Sequence, residues 1–254
     1  MSLIQKLFSL EGKVSIVTGA SGGLGSPIAV ALAKAGSKVY LLDQNRQADS
    51  TAVHLRSIGS QAEFYHIDLT NKEEIDRFIS FICKEEEKVD VLINAAGITY
   101  PQEFSNYEYE KWDMTYKINL LAPYLMSKGL GLKMENGSII NFTSINAELA
   151  FPNNPAYVTF KHGLKGLTKA LALELGKNNT RVNNIGPGYM MTSMTEGSWS
   201  NPEVFEARKK KTFLDRWGNP DDLIGAIIFL ASDCSSYVTG QDLYIDGGWT
   251  AKGL

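Results

Sequence analysis

The 254-residue sequence predicts one α/β domain built on a doubly wound parallel sheet of about seven strands flanked by helices. Short apolar runs rich in β-branched residues recur along the chain, and helical patterns separate them. Most of these runs are continuously apolar, which is typical of strands covered on both faces. No internal repeat or low-complexity linker divides the chain, so we expect residues 1–254 to form a single domain.

Each predicted strand is four to seven residues long. The strands are predicted at residues 13–18, 38–43, 63–67, 89–95, 138–143, 181–185 and 242–245. Helical periodicity is clearest at residues 24–35, 72–88, 156–175 and 220–231. Residues 186–214, between the last two strands, read as a long irregular connection, which is typical of a lid or a substrate-binding loop.

Composition narrows the class of protein. A net charge of -3 gives no reason to expect nucleic acid binding, and no apolar run reaches the ~18 residues of a membrane span. Residues 1–10 show no cleavable signal pattern. Two cysteines cannot build a disulfide framework, and three scattered histidines lack the spacing of metal ligands. We expect a cytoplasmic protein that acts on a small molecule, with no metal and no membrane partner.

A glycine-rich loop, Thr-Gly-Ala-Ser-Gly-Gly-Leu-Gly at residues 18–25, follows the first strand and precedes a helix. This context is that of a dinucleotide-binding fingerprint. Gly19 would allow a tight turn, Gly23 an approach to a pyrophosphate, and Gly25 close packing of the helix on the sheet. Free N–H groups at the helix start would face the phosphates. The predicted cofactor-binding residues of this loop are Gly19, Ser21, Gly22, Gly23, Leu24 and Gly25.

Asp43 ends the second strand, where a carboxylate accepts hydrogen bonds from ribose hydroxyls and repels a 2′-phosphate. Asp43 therefore favours NAD over NADP, although it could simply form a turn, and Arg46 could meet a phosphate. Asp68 and Leu69 follow the third strand, where Asp68 could bond the adenine edge or start the next helix.

Later strand ends carry small or turn-forming residues that would let a cofactor lie against the backbone. These further predicted cofactor-binding residues are Asn94, Ala95, Ala96, Gly97, Pro187, Gly188 and Thr192. Thr192 could bond the nicotinamide carboxamide, or the Pro-Gly pair could mark a plain turn.

Tyr157 and Lys161 stand at i and i+4 and so share one helix face. The sequence holds three Tyr-x-x-x-Lys pairs, but only this one has a serine, Ser144, thirteen residues upstream at the end of an apolar strand. Hydride transfer between a carbinol and nicotinamide leaves a proton, which Tyr157 can take if its pKa falls from about 10. An ammonium ~4 Å away would lower the pKa of Tyr157 by roughly three units, and a positively charged nicotinamide ring would lower it further.

Ser144 could hold the reacting oxygen beside the tyrosine. Asn119, in a predicted helical stretch at residues 117–120, could anchor a water chain to Lys161, or simply cap or kink its helix.

Together these motifs are similar to those of the short-chain dehydrogenase/reductase family, over nearly the whole chain. The matching elements are residues 18–25, 94–97, Asn119, Ser144, Tyr157-x-x-x-Lys161, Pro187-Gly188 with Thr192, and 244–248. The resemblance implies a single Rossmann-type domain and a catalytic tetrad of Asn119, Ser144, Tyr157 and Lys161. It also implies that Tyr157 and Lys161 contact NAD or, less favoured here, NADP, and that the protein is a homotetramer or homodimer.

The sequence departs from the family pattern at Phe160, Ala95, Asn184 and Gly186, none of which removes a group that the chemistry needs. Phe160 leaves the packing of the helix that carries Tyr157 less defined.

Both ends of the chain resemble a narrower branch, the gluconate 5-dehydrogenases and 2-deoxy-gluconate 3-dehydrogenases. The segments that carry this are residues 8–14, 187–190, 216–222 and 246–249. The branch implies a sugar acid or polyol as substrate, with Arg216 or the basic run 208–211 near a carboxylate, although that run also reads as an exposed helix end.

Two other functions remain open. One is a 3-oxoacyl-[acyl-carrier-protein] reductase, which Asp43 argues against. The other is a non-catalytic dinucleotide-binding sensor, which would not need Ser144, Tyr157 and Lys161.

Overall fold

The computed structural model describes residues 3–252, which form seven β-strands and ten α-helices. In chain order they are α1 (Leu3–Phe8), β1 (Val14–Thr18), α2 (Gly25–Lys34), β2 (Lys38–Asp43), α3 (Gln47–Ser57), β3 (Ala62–His66), α4 (Lys72–Glu85), β4 (Val91–Asn94), α5 (Tyr109–Tyr116), α6 (Ala122–Gly131), β5 (Ser138–Phe142), α7 (Pro155–Leu175), β6 (Arg181–Pro187), α8 (Glu196–Trp199), α9 (Pro202–Lys209), α10 (Ile224–Ala231) and β7 (Asp242–Ile245). Met1 and Ser2, which the signal-peptide expectation includes, lie outside the described residues.

The seven strands form one parallel sheet in the order β3-β2-β1-β4-β5-β6-β7. This confirms the predicted doubly wound parallel sheet. The order reverses between β1 and β4, and ligands of such sheets bind outside the carboxyl ends of the strands at that point. Both neighbours of the reversal end in candidate site residues, Thr18 with the glycine loop and Asn94.

Helices cover both faces of the sheet, which explains the continuous apolar strands. Successive residues of β1 point to opposite sides, so that Ile16 packs in one core cluster and Val17 in the other. Helices α2, α3 and α10 pack in the cluster that contains Val17. Helices α4, α6 and α7 pack in the cluster that contains Ile16. No helix within residues 3–252 is both long and apolar enough to cross a membrane.

Helix α3 and the pair α5 and α6 are among the helices that the sequence did not single out. Helix α3 is weakly amphipathic and buries only Ala48, Ala52 and Leu55, so its periodic signal is faint. Helices α5 and α6 are joined by a π-helical turn at Lys117–Leu121, which interrupts the 3.6-residue period.

The connection 186–214 was expected to be irregular, and this was wrong. It begins with the last residues of β6 and then contains a 3₁₀ turn at Ser193–Thr195, α8 and α9. Helix α9 is short but well capped, since Asn201 Oδ1 accepts hydrogen bonds from the N–H groups of Glu203 and Val204.

Candidate active site

Two cavities open at the carboxyl edge of the sheet. A glycine-loop cleft of about 270 Å³ runs from the loop after β1 past the ends of β2 and β3. A second cavity of about 310 Å³, the Tyr157 cavity, lies beside the first turns of α7. The two cavities share lining residues, namely Leu24, Ala95, Gly97, Thr192 and Met194.

The glycine-loop cleft gathers most of the residues that the sequence singled out for a cofactor. These are Gly19, Ser21, Gly22, Gly23, Leu24, Gly25, Asp43, Asp68, Leu69, Ala95, Ala96, Gly97 and Thr192. The cleft also contains residues that the sequence analysis missed because they carry no motif of their own: Gln44, Ile67, Ile98, Ile118, Ser193 and Met194. The three isoleucines among them lie directly beside predicted site residues in the chain.

The loop glycines are required by close backbone approaches. Gly19 has a φ of +68°, and a Cβ there would lie 2.7 Å from the Cα of Ala96. A Cβ on Gly25 would lie 2.1 Å from the carbonyl oxygen of Gly19. Gly25 is therefore needed for the loop to fold onto itself, whereas the sequence analysis had assigned it to helix–sheet packing.

Gly23 lies directly beneath the connection between β6 and β7. A Cβ on Gly23 would lie 2.8 Å from the Cβ of Thr192. The absent side chain thus makes room for Thr192 as well as exposing backbone towards a ligand. Thr192 in turn is fixed by its own turn, where its N–H donates to Thr195 Oγ1 at 3.1 Å and its carbonyl accepts from Trp199 Nε1 at 2.9 Å.

Asp43 joins the end of β2 to the glycine loop. Its Oδ2 accepts a hydrogen bond from the N–H of Ser21 at 2.9 Å, and its Oδ1 accepts one from the N–H of Asn45 at 2.8 Å. Arg46 is exposed at the start of α3 and lines neither cavity. The carboxylate of Asp43 therefore lines this end of the cleft, and Arg46 does not.

Asp68 forms a turn and does not cap α4. Its Oδ1 accepts hydrogen bonds from the N–H and the hydroxyl of Thr70, both at 2.8 Å. The cap of α4 is Asn71, whose Oδ1 accepts from the N–H groups of Glu73 and Glu74.

Asn94 is the predicted cofactor residue that lines neither cavity, because its side chain turns into the protein interior. Its Nδ2 donates to Asn141 Oδ1 at 2.8 Å, and Asn141 Nδ2 donates to Thr168 Oγ1 at 2.8 Å. Thr168 Oγ1 donates to Asn184 Oδ1 at 2.7 Å, and Asn184 Nδ2 donates to Asp242 Oδ1 at 2.6 Å. These five residues form a polar chain that crosses β4, β5, α7, β6 and β7.

The Tyr157 cavity contains the residues expected to carry proton transfer. Helix α7 begins at Pro155, and the half-buried Tyr157 lies in its first turn. The buried Lys161 lies one turn later, where its Nζ donates to the carbonyl oxygen of Phe142 at 2.6 Å and lies 5.5 Å from the centre of the Tyr157 ring. Ser144 follows β5 on the same wall, and its Oγ accepts from the N–H of Asn146.

Burial dominates the electrostatics of this pair. It raises the pKa of Tyr157 to about 12, against a smaller opposing effect of the Ser144 hydroxyl. It also lowers the pKa of Lys161 to about 7. The expectation that Lys161 lowers the pKa of Tyr157 is therefore wrong for the protein without nucleotide, because burial disfavours the ammonium as well as the phenolate.

Asn119 lies in the π-helical turn and secures the chain just after β4. Its Oδ1 accepts from the N–H of Ile98 at 3.0 Å, and its Nδ2 donates to the carbonyl of Ile98 at 2.8 Å. A Cβ on Gly97 would lie 3.3 Å from Asn119 Oδ1 and 3.6 Å from Lys161 Nζ. The glycine therefore leaves open the space between these two side chains, and the water chain between them stays a prediction.

Pro187 and Gly188 line the Tyr157 cavity as the end of β6, which continues two residues further than expected. The strand continues because it pairs with β7, and Gly188 N then donates to the carbonyl of Ile245 at 3.0 Å. Two of the departures from the family pattern are packing features. Phe160 packs edge-on against Trp112, and Gly186 lies beneath the ring of Tyr244, where a Cβ would come within 2.4 Å.

The basic residues near the site differ sharply in their surroundings. Arg208 lines the Tyr157 cavity. Arg216 instead forms a two-bond ion pair with Asp222 at 2.7 and 2.8 Å, and it does not line this cavity. Lys211 is exposed beyond the end of α9. Among residues 3–252, no group of three histidine, cysteine, aspartate or glutamate side chains could hold a metal ion.

The fold and this arrangement of cleft, tyrosine and lysine define an oxidoreductase that uses a pyridine nucleotide. Residues 19–250 match the family described as "Enoyl-(Acyl carrier protein) reductase". The chain belongs to the short-chain dehydrogenase/reductase family.

The names of several relatives describe enzymes of carbohydrates or polyols. The chain is 35% identical over 246 residues to the 5-keto-D-gluconate 5-reductase of Escherichia coli, covering 95% of this chain and 97% of the relative. It is 32% identical over 250 residues to the NAD-dependent glycerol dehydrogenase of Listeria innocua, covering 97% of each. The structure of a gluconate 5-dehydrogenase from Burkholderia cenocepacia in complex with NADP and tartrate is similar with a TM-score of 0.94 at 29% identity, covering 98% of this chain and 100% of that one.

Proposed function

We propose that this protein is an NAD-preferring dehydrogenase that interconverts a secondary alcohol and a ketone on a sugar acid or a polyol. The observation that carries the proposal is the meeting of the two cavities. Tyr157 and Lys161 line a cavity that shares Thr192, Ala95 and Gly97 with the glycine-loop cleft. A hydride donor or acceptor bound in that cleft would therefore reach a substrate held at Tyr157.

The residues of the cleft fit a dinucleotide. The glycine loop, with Gly19 and Gly25 packed against backbone, leaves a cradle just before α2. Asp43 and Asp68 would face the adenosine half, and Thr192 the nicotinamide half. A bound nicotinamide would supply the acceptor of a hydride from the carbinol carbon, or the donor of a hydride to the ketone.

The proton follows a separate route through this chain's side chains. Ser144 donates a hydrogen bond to the reacting oxygen, and Tyr157 takes the hydroxyl proton as the carbinol is oxidised. With a pKa of about 12, Tyr157 begins as a phenol and must pass its own proton onward. Lys161, with a pKa of about 7, is partly neutral at neutral pH and can receive it. In ketone reduction the same groups supply the proton in reverse.

The preference for NAD rests on Asp43. Its carboxylate lines the cleft, and a 2′-phosphate there would meet a negative charge, whereas Arg46 does not line the cleft. Relatives of both kinds exist, since one is named as NAD-dependent and another binds NADP. We expect Asp43→Asn to raise the ratio of NADP to NAD turnover by about tenfold, measured as kcat/KM for each nucleotide, because it removes about 1.4 kcal/mol of repulsion.

We also propose that residues 186–214 open and close over the substrate, that the chain acts in the cytoplasm as one domain, and that it assembles as a homotetramer or homodimer. Large apolar side chains on α5, on α7 and just before α5 are exposed and support assembly: Phe104 at 79%, Tyr109 at 72% and Leu173 at 81%. Light scattering on a size-exclusion column tests the assembly.

The test of function is the initial rate with NAD and NADP in parallel, on gluconate, 2-deoxygluconate, glycerol and threitol, and in reverse on 5-keto-gluconate. Turnover with NAD on any of these would support the proposal. If none of these substrates is turned over and NADPH is consumed with an acetoacetyl thioester, the 3-oxoacyl reductase function would replace the proposed one. Tight nucleotide binding without turnover on any substrate would favour a sensor.

A further inference from the structure

Two residues that line the Tyr157 cavity each have a buried polar side-chain atom with no hydrogen-bond partner among residues 3–252. These atoms are Nη1 of Arg208 and Oδ1 of Asn154. Buried polar atoms in native proteins are nearly always paired, and exceptions at a cavity wall point to a ligand. The other unpaired buried side-chain atom in this part of the chain, the hydroxyl of Tyr107, does not line the cavity.

Packing holds Arg208 in place. Its guanidinium lies over the ring of Tyr189, 4.0 Å from the ring centre. That ring is itself fixed between two tryptophans, with centre-to-centre distances of 5.3 Å to Trp217 and 5.1 Å to Trp249. Aromatic stacking leaves the edge of the guanidinium, where its N–H groups lie, free for a planar anion.

The charges of the cavity are uncompensated. Arg208 and Lys161 are its two basic lining residues, and no aspartate or glutamate lines it. Burial lowers the pKa of Lys161 to about 7, which weakens its positive charge at neutral pH. Arg208 therefore contributes the main positive charge of a cavity that no aspartate or glutamate lines.

Asn154 provides an acceptor in the same cavity. It immediately precedes α7, three residues before Tyr157, and its Nδ2 donates to Thr99 Oγ1 at 2.7 Å. That bond fixes the amide, whose Oδ1 has no partner within residues 3–252, and Asn154 lines the cavity. A substrate hydroxyl is the complementary donor.

Tyr189 connects the anion-binding end to the reaction centre. Its hydroxyl is close enough to raise the pKa of Tyr157, and its own pKa is raised by burial and lowered by Arg208. Tyr157, Tyr189 and Arg208 line one cavity, and the Arg208 guanidinium lies over the Tyr189 ring, so one molecule in this cavity can contact all three. Such a molecule would carry a carboxylate and a carbinol at separate positions along its chain.

We propose that Arg208 binds the carboxylate of the substrate and that Asn154 Oδ1 accepts a hydrogen bond from one of its hydroxyls, which selects an open-chain polyhydroxy acid over a neutral polyol. This inference rests on the proposed function and names the substrate class of that same site. Arg216 and residues 209–211, the alternatives that the sequence left open, are ion-paired or do not line the cavity.

The decisive experiment compares Arg208→Gln with Lys211→Gln, which removes the same charge from an exposed residue three positions away. Steady-state kinetics with gluconate and with the neutral polyol threitol are measured for each. Arg208→Gln should raise the KM for gluconate about 10- to 100-fold, with kcat within about threefold, because it removes charge-assisted hydrogen bonds made in ground and transition states alike. The threitol KM and both constants of Lys211→Gln should stay within about twofold.

An equal loss on gluconate and threitol would overturn the inference, as would no change on gluconate. Far-ultraviolet circular dichroism and the nucleotide Kd verify that Arg208→Gln folds. If that variant were unfolded, Arg208→Lys would replace it, since a retained charge without the planar fork should give an intermediate KM.

Asn154→Ala tests the second anchor. Its loss should raise the KM for gluconate and for threitol by similar factors of about 5 to 20, because both substrates present hydroxyls. A change confined to gluconate would contradict the assignment of this residue.

Binding separates this inference from the proposed function. Gluconate is titrated into the enzyme–NAD complex, with the fluorescence of Trp217 and Trp249 beside Tyr189 as the readout. Saturable binding that Arg208→Gln abolishes, without turnover of any substrate, would support the anion site and reject the proposed function. Turnover of polyols, together with gluconate binding that Arg208→Gln does not change, would support the proposed function and reject the anion site.

Discussion

The polar chain inside the sheet and the Tyr157 cavity both bury polar side chains, yet they differ in one respect. Every link of the polar chain from Asn94 to Asp242 is a hydrogen bond of 2.6 to 2.8 Å. The cavity instead leaves atoms of Arg208 and Asn154 without partners. Burial of a polar residue is therefore no sign of function by itself. An unmet hydrogen-bonding capacity at a cavity wall is the sign.

The largest effect is expected at the reaction centre. Tyr157→Phe removes the hydroxyl that faces the cavity but keeps the ring, so kcat should fall about 100- to 10,000-fold. The nucleotide Kd, measured by fluorescence titration, should stay within about threefold. Turnover close to that of the wild type would remove Tyr157 from the mechanism.

A second large effect is expected within the polar chain, this time on stability. Thr168→Val keeps the shape but leaves Asn141 Nδ2 and Asn184 Oδ1 unpaired in the interior. We expect a loss of about 2 to 4 kcal/mol in the free energy of unfolding. By the size of the chain this corresponds to a Tm lower by about 4 to 12 °C.

The matched control for Thr168→Val is Thr159→Val, an exposed threonine on the same helix α7. Its Tm should stay within about 2 °C of the wild type. Equal stability of the two variants would mean that the polar chain contributes nothing measurable, and the contrast with the cavity would then fail.

The third effect concerns the pH dependence of stability. The pKa of Lys161 is about 7 in the folded protein against 10.5 unfolded, so above pH 7 the unfolded state binds more protons and stability rises with pH. Between pH 7 and pH 9 the contribution is roughly 2 kcal/mol.

Lys161→Met should abolish this rise. Urea unfolding of the wild type and the variant at pH 7 and pH 9, without nucleotide, measures the difference. A constant gap between the two proteins across this range would contradict the neutral, buried lysine.

The smallest effect is expected at the loop. Gly23→Ala forces a shift of Thr192, since the added Cβ would lie 2.8 Å from the Cβ of that residue. We expect the nucleotide Kd to rise about 3- to 10-fold with little loss of stability. Gly166→Ala, where an added Cβ meets nothing within 4 Å, is the control and should raise stability slightly. Equal nucleotide affinities in both variants would show that the contact between residue 23 and Thr192 does not affect nucleotide binding.

The parallel sheet was predictable because burial on both faces leaves continuous apolar runs, as in β1 and β5. The glycine loop, Tyr157 and Lys161 were predictable because their spacing carries the chemistry. Helix α3 was not, because it buries only two alanines and a leucine and so leaves a weak pattern.

Other features depend on partners that are distant in sequence. Asn94 ends a strand beside the cleft, but its direction is set by Asn141, 47 residues away. Arg216 lies only six residues from Asp222, yet the sequence alone does not distinguish it from Arg208. Only the fold shows that Asp222 neutralises one and that Tyr189 holds the other in the cavity.

The common wall formed by Thr192 and Met194 has a kinetic consequence. The segment with Thr192 and Met194 would contact both nucleotide and substrate. If it moves to release one of them, it also loses contacts with the other. We therefore expect compulsory-order kinetics, with nucleotide arriving first and leaving last. Product-inhibition patterns would reveal this order, since reduced nucleotide should compete with NAD alone. Random-order patterns would mean that the two halves of the wall move independently.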